Sequence, residues 1–261
     1  MTDVNDVITQ MEIFAPIELR EEGDPTGFQI GDKNAPIRKV MTTLDVRPLV
    51  VEEAIENNVD LIVSHHPIMF RSAKNLDLSN PQNKMYSDIL SNNISVYSSH
   101  TNTDNADGGM NDWLMEQLGF KNIQKLRPDS NLGRFTELDQ ATTIEEFANK
   151  VAKSFKVPNL RYIKSEIPNS VKKVALIGGD AGKFYPDVLE SGADTFITGD
   201  VYYHTAQDMQ SLGLNVIDPG HNIEKIFIDK IADKLEQWNS INNWNIEVIR
   251  SKVITEPYNF L

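Results

Sequence analysis

The sequence predicts an α/β fold made of two similar α/β domains, and three observations carry that reading. The first is an internal repeat. "KVMTTLDVRPLVVEEAIENNVDLIVSHH" (39–66) and "KVALIGGDAGKFYPDVLESGADTFITGD" (173–200) align at a constant offset of 134 residues. Lys39 and Val40 meet Lys173 and Val174, Asp60 meets Asp194, Ser64 meets Thr198, and His66 meets Asp200. The second is the pattern within each copy. An apolar strand, a turn, an amphipathic helix, a short Asn- or Gly-containing turn and another apolar strand make a βαβ unit of a parallel sheet. The third is that the likeness continues. "NISVYSSHTNTD" (93–104) resembles "GLNVIDPGHNIE" (213–224), again a strand followed by a His-containing loop.

Each element has its own signal. In the first copy Val50, Val51 and Ala54 form the inward stripe of the helix, and in the second Val188 and Leu189 do so. A helix over 108–120 follows from Met110, Trp113, Leu114 and Leu118 at helical spacing. Another follows from Ile223, Phe227, Ile231, Leu235 and Trp238 along "IEKIFIDKIADKLEQW". Between them "TIEEFANKVAKSF" (143–155) reads as a helix with Thr142 or Thr143 as its cap and Glu145 and Glu146 in its first turn. The turn-rich "PDSNLG" suits a hinge, which puts the first domain at 1–127 and the second at 128–261. The tail "WNIEVIRSKVITEPYNFL" has strand character up to Pro257 and is able to pack on the first domain.

Composition narrows the function. A chain of 261 residues with a formal net charge of −13 is repelled by phosphate backbones, and its adjacent basic residues are limited to Arg38 with Lys39 and the two lysines of "VKKV", so nucleic acid is a poor partner. Divalent cations are attracted instead. No apolar run is long enough to span a membrane, and the acidic, mixed N-terminus does not read as a signal peptide. There is no cysteine, which excludes disulfides, thiolate metal sites and a cysteine nucleophile. A cytoplasmic location is expected.

All five histidines, His65, His66, His100, His204 and His221, stand at or shortly after predicted strand ends. Ligand sites of open α/β sheets form at the carboxyl ends of strands. "HTNTD" adds Asp104 beside His100, and "HNIE" sets Glu224 three residues after His221, on one face of a helix start. Asp200 and His204 extend the same rim. Neutral imidazole with carboxylate is a ligand set for Zn, Mn, Fe or a similar divalent ion. A solvated histidine is the ordinary reading of any single one; five at equivalent places in a repeated unit point to metal. His100 and His204 fit hydrogen bonding beside a metal as well as ligation.

Four stretches, "SHHPIMF", "HTNTDNADGGMNDWL", "ITGDVYYHTA" and "GHNIEK", together resemble the NGG-interacting-factor-three-like family, the GTP cyclohydrolase 1 type 2 homologs. "GFQIGD", "LGRF" and "EPYNF" extend the resemblance over nearly the whole chain. It implies a dinuclear metal site in the cleft between two similar α/β domains, and a toroidal homohexamer. It assigns two divalent ions to His65, His66, Asp104, His221 and Glu224, with Glu224 placed to bridge. It sets His100 beside the metals and leaves His204 for substrate or proton transfer. The chain departs from the family at "GDPTGF", where an aromatic-acid stretch is common, and at Asn222, where an aromatic residue is common.

Paired divalent ions suit hydrolysis. If GTP is the substrate, water attacks C8 of guanine, the imidazole ring opens and formate leaves, with His204 or His100 moving protons. A binuclear phosphoesterase is the nearest competing enzyme, although no Arg or Lys clamp stands out beside the motifs. A non-catalytic metal-binding regulator or adaptor, or a nucleotide-binding module, is the alternative from another class. "IGGDAG" (177–182) is Gly-rich but a weak phosphate signal.

Overall fold

The computed structural model describes residues 1–128 and 130–260. The chain opens with helix α1 (Val4–Phe14), capped by Asp3 and Asp6 in a reciprocal box, and strand β1 (Gly27–Ile30). Then come β2 (Lys39–Thr43), α2 (Pro48–Glu56), β3 (Leu61–Ser64), α3 (Pro81–Ser91) and β4 (Ser95–Ser98). Two short helices follow, α4 (Thr101–Asn105) and α5 (Met110–Gln117), then β5 (Gln124–Lys125), β6 (Arg134–Thr142) and α6 (Ile144–Phe155). The chain continues through β7 (Arg161–Ile163), β8 (Val171–Leu176), α7 (Tyr185–Glu190), β9 (Thr195–Ile197), α8 (Tyr203–Ser211) and β10 (Asn215–Asp218). It ends with α9 (Ile226–Asn242) and β11 (Glu247–Arg250). No helix among the described residues is long and apolar enough to cross a membrane.

By contacts the chain divides into two compact units. One is Met1–Thr103 with Lys225–Pro257; the other is Asp104–Glu224 with the last residues of the chain. The division falls at 103/104 and again at 224/225 rather than at 127/128. The "PDSNLG" segment lies inside the second unit, and its Asp129 is outside the described residues.

The first unit is built on a sheet of order β1-β4-β3-β2-β11. β2, β3 and β4 are parallel, β1 returns antiparallel to β4, and β11 adds parallel to β2. β3 and β4 are buried along their whole length, so they read as continuous apolar or small-residue runs rather than alternating ones. Met41, Ile62 and Val96 pack on one face with Val50, Val51 and Ala54 of α2 and Met85 and Ile89 of α3. α9 lies against β2 and β11, and the Thr42 hydroxyl donates to the Ile228 carbonyl at 2.9 Å.

The second unit is a sheet of order β5-β6-β8-β9-β10-β7, with β8, β9 and β10 parallel and its other strands antiparallel. Its core gathers Ala175, Phe196 and Val216 from the strands with Val188, Met209 and Leu214. α6 starts at Thr143, whose side chain and that of Glu146 cap each other's backbone, and it stops at Lys156 in the left-handed region. α5 is shorter than the expected 108–120, because Gly109 caps it and Gly119 at φ +86° turns the chain away. Both sheets thus present the ends of three parallel strands, and the residues just beyond those ends are the histidines and their neighbours.

Candidate metal centre

In the first unit β3 runs straight into His65 and His66. Their backbone N–H groups extend the ladder to the carbonyls of Thr43 and Leu44, at 3.2 and 3.0 Å. β4 runs into Ser99 and His100, and the Ser99 N–H donates to the Ser64 carbonyl at 2.9 Å. The rings converge: His65 lies 4.9 Å from His66 and 5.1 Å from His100 between centroids, and His66 lies 5.5 Å from His100. One ring nitrogen from each of the three falls within 4.8 Å of the others, close enough for one ion. On its far side His65 packs at 5.1 Å on the buried ring of Phe227.

Each of these rings is held by Nδ1. His65 Nδ1 donates to the Ser99 carbonyl at 2.9 Å, His66 Nδ1 to Asp45 Oδ1 at 2.7 Å, and His100 Nδ1 to Asp24 Oδ1 at 2.8 Å. A carbonyl only accepts, so Nδ1 of His65 carries the hydrogen, and the neutral ring has its lone pair on Nε2. Nδ1 held and Nε2 left as the Lewis base is the arrangement that orients metal-binding histidines. Burial pushes the Asp24 and Asp45 carboxyls up, and the hydrogen bond and charge of His100 and His66 pull them down. With the hydroxyls of Thr101 and Thr26 on Asp24 and of Thr255 on Asp45, both carboxyls are held below their ordinary value. Topology brings these acids here. Asp45 follows the end of β2, and Asp24 precedes β1, whose antiparallel start pairs Gly27 with Ser98.

Asp24→Asn and Asp45→Asn should therefore weaken metal binding without removing a ligand, each by about 10–100-fold. Competition against a chromogenic chelator measures this. An unchanged affinity would leave the two acids a purely structural role.

The second unit assembles an acidic set at the ends of its own parallel strands. His221 and Glu224 open a tight helical turn, His221–Lys225, in which side chains three apart line up. His221 Nε2 stands 3.2 Å from Glu224 Oε2, and His221 Nδ1 stands 2.8 Å from Asp200 Oδ2. Glu224 is 2% exposed, a carboxylate that costs free energy to bury unless charge of opposite sign reaches it. A carboxylate oxygen of Asp104 lies within 4.8 Å of one on Glu224. Asn111, fully buried on α5, ties the set together: its Nδ2 donates to the Asp104 carbonyl and its Oδ1 accepts from the Gly178 N–H, both at 2.9 Å. Burial, and next the charge of Asp200, push the nearby Asp180 carboxyl up.

Gly178 and Gly179 make room for these ligands. A Cβ at either would come within 2.9 Å of Glu224 Oε1, and Gly179 also has φ +65°. The Gly-rich "IGGDAG" is thus a seat for Glu224 and His221 rather than a phosphate loop. Asp200 itself sits at φ +51°, where a side chain other than glycine's is uncommon.

Each predicted site residue can now be placed. The first unit brings together His65, His66 and His100, and the second brings together Asp104, His221 and Glu224. His204 stands apart, exposed on α8, its Nδ1 3.1 Å from Gln207 Oε1 and its ring edge-to-face with those of Tyr202 and Tyr203. Among the described residues it belongs to no group able to hold an ion. Reading the sequence missed Asp24, Asp45, Asn111, Gly178 and Gly179 as parts of the site. Asp24 lies in "GDPTGF", which drew attention only as a departure from a family pattern.

The donor set fits divalent metal: oriented imidazoles, the buried carboxylate of Glu224 with the half-buried one of Asp104, no thiolate, and space kept by glycine.

Known proteins agree with the resemblance read from the motifs. Residues 2–257 match the family Duf34/NIF3 (NGG1p interacting factor 3). A Streptococcus pneumoniae protein named GTP cyclohydrolase 1 type 2 homolog is 42% identical over 263 residues, covering 98% of this chain and 99% of that protein. A Lactococcus lactis protein of the same name is 39% identical over 257 residues, covering 98% of each. Among solved structures, a Bacillus cereus protein related to NIF3 superposes with a TM-score of 0.94 at 26% identity, over 100% of this chain and 99% of that one. A Staphylococcus aureus hypothetical protein does so at 0.92 and 27%, over 99% of both. By the span of the family match and the identity to these relatives, the chain belongs to the Duf34/NIF3 family.

Proposed function

We propose that this protein is a metal-dependent hydrolase of the GTP cyclohydrolase kind, working with two divalent ions. In this reading His65, His66, Asp104, His221 and Glu224 would hold the ions. His100, whose Nδ1 is held by Asp24 in the same manner as that of His66, serves the metal rather than proton transfer. The observation that carries the reading is the common setting of the three rings, each fixed through Nδ1 by a carboxylate or carbonyl. Such anchoring has little purpose for a solvated histidine and a clear one for a ligand. Bound ions of this kind supply Lewis acidity and a water made more acidic, which is hydrolytic chemistry.

The chain's own residues divide the remaining work. Asp24, Asp45 and Ser99 hold the rings in one orientation, so little reorganisation accompanies the reaction. Gly178 and Gly179 leave room for the Glu224 carboxylate, which a Cβ at either would approach to 2.9 Å. His204 is the proton carrier: it is an imidazole that stands outside the ligand set. His204→Ala should leave metal content unchanged and slow hydrolysis by about 10²–10⁴-fold. An unchanged rate at full metal content would return His204 to a solvated residue on α8.

The test of the activity is formate release from GTP by protein loaded in turn with zinc, manganese and ferrous iron. Release that depends on the metal supports the reading. Metal uptake with no formate, and no turnover in a wider nucleotide screen, would favour a metal-binding regulator. The toroidal hexamer implied by the family resemblance belongs to the same proposal, and light scattering that gave a monomer at micromolar concentration would contradict it.

A further inference from the structure

We infer that Phe70 is the platform on which a planar ring of the substrate stacks, with Arg71 and Lys74 drawing in its anionic part. The inference rests on the hydrolase reading and adds to it a specificity residue, the one that would recognise the planar base of an anionic substrate.

Phe70 is 67% exposed, although it follows His66 by only four residues. Isolated exposed apolar side chains are common on any protein. This one is placed. Its ring centroid lies 6.3 Å from that of His100, with the two planes at 86°. The chain just before it is anchored: Ile68 is buried in the first unit's core, and Met69 packs against that core. The Ile68 carbonyl accepts from the Tyr86 hydroxyl at 2.9 Å and from Gln82 Nε2 at 3.3 Å. Phe70 therefore projects from a fixed root beside a candidate ligand, with most of its surface in water. A second ring can occupy that surface in stacked or edge-to-face contact.

Charge describes the rest of the occupant. From Pro67 to Leu76 the sequence has no acidic side chain and carries Arg71 and Lys74, in a chain of net charge −13. Arg71, Ser72, Ala73 and Lys74 are all exposed, and neither cation makes an ion pair among the described residues. An aromatic ring followed by two unneutralised cations, next to a three-histidine cluster, suits a flat base carrying phosphate. It suits an aliphatic or neutral substrate poorly. This is also the basic element that appeared to be missing beside the metal motifs.

The probes are guanosine 5′-monophosphate and ribose 5-phosphate, titrated calorimetrically into zinc-loaded full-length protein. The wild type should hold the nucleotide at least about tenfold more tightly than the sugar phosphate, the range that stacking on one aromatic side chain supplies. Phe70→Ala and Phe70→Leu should both abolish that advantage while leaving zinc content and ribose 5-phosphate affinity as they were. Phe70→Tyr should restore it. Replacing Arg71 and Lys74 together by alanine should weaken both ligands by a similar factor and reduce the salt dependence of binding. A wild type that does not prefer the nucleotide, or a Phe70→Ala protein that keeps the preference, overturns the inference. Zinc content measured on the same samples reports separately on the metal reading, which would fall if the wild type took up none.

Discussion

Glu224→Ala is expected to lose bound metal and hydrolytic activity together. The carboxylate is 2% exposed and stands 3.2 Å from His221 Nε2, and the structure leaves Cβ-free space at Gly178 and Gly179 around it. Removing a ligand costs more than removing a residue that merely orients one, so metal affinity should fall by more than about 100-fold. Glu224→Gln separates charge from packing. It retains the shape and a hydrogen-bonding oxygen but not the charge, and should also fail to hold metal, with little effect on folding. Elemental analysis after dialysis, with turnover and circular dichroism on the same samples, decides. Full metal retention in either variant would remove Glu224 from the ligand set.

Loss of Arg134 should produce the largest fall in stability. Its side chain is 2% exposed, and it grips Asp112 with two bonds, Nε to Oδ1 at 2.7 Å and Nη2 to Oδ2 at 2.9 Å. It also donates to the carbonyls of Ala106, Asn131 and Gly133 at 2.9–3.0 Å. Asp112 in turn accepts from the Gly108 N–H at 2.7 Å, which closes the turn ahead of α5. Arg134→Met leaves Asp112 without its counter-charge and three carbonyls without their donor. Breaking one partner of such a buried pair costs about 3–5 kcal/mol. Because neither residue touches the candidate ligands, metal affinity at low temperature should be nearly unchanged. In a double-mutant cycle, adding Asp112→Leu to Arg134→Met should recover much of the loss. Denaturant titration measures both, and a loss under about 1 kcal/mol would show that the pair is replaceable by water.

The sequence was most legible where burial on both faces writes a continuous apolar run. β3 and β4 were readable for that reason, and the histidines at their ends followed from where parallel strands place ligands. Partners set by tertiary pairing were not readable. Asp24 reaches His100 across 76 residues of sequence, and Asp45 reaches His66 across 21. Only the antiparallel return of β1 and the adjacency of β2 and β3 make those contacts. The membership of the compact units has the same cause. The turn-rich "PDSNLG" has the composition of a hinge, but β11 pairs with β2 from the other end of the chain and takes α9 into the first unit. The glycines of "IGGDAG" were a weak signal for phosphate and have another use. Glycine next to a strand signals a close approach of something to the backbone, and here that something is a carboxylate of the same chain. "LGRF" entered only as part of the family resemblance, and its arginine proves to be the centre of a buried network.

The central claim is that the histidines and carboxylates at the strand ends are ligands of a two-metal centre. Elemental analysis of the purified protein, saturated with zinc and then freed of excess, tests it most directly. The account predicts about two ions per chain in the wild type, as a paired-metal hydrolase requires, and far fewer when His65 and His66 are both replaced by alanine. A wild type that binds no metal, or a double variant that keeps the full wild-type content, would contradict it.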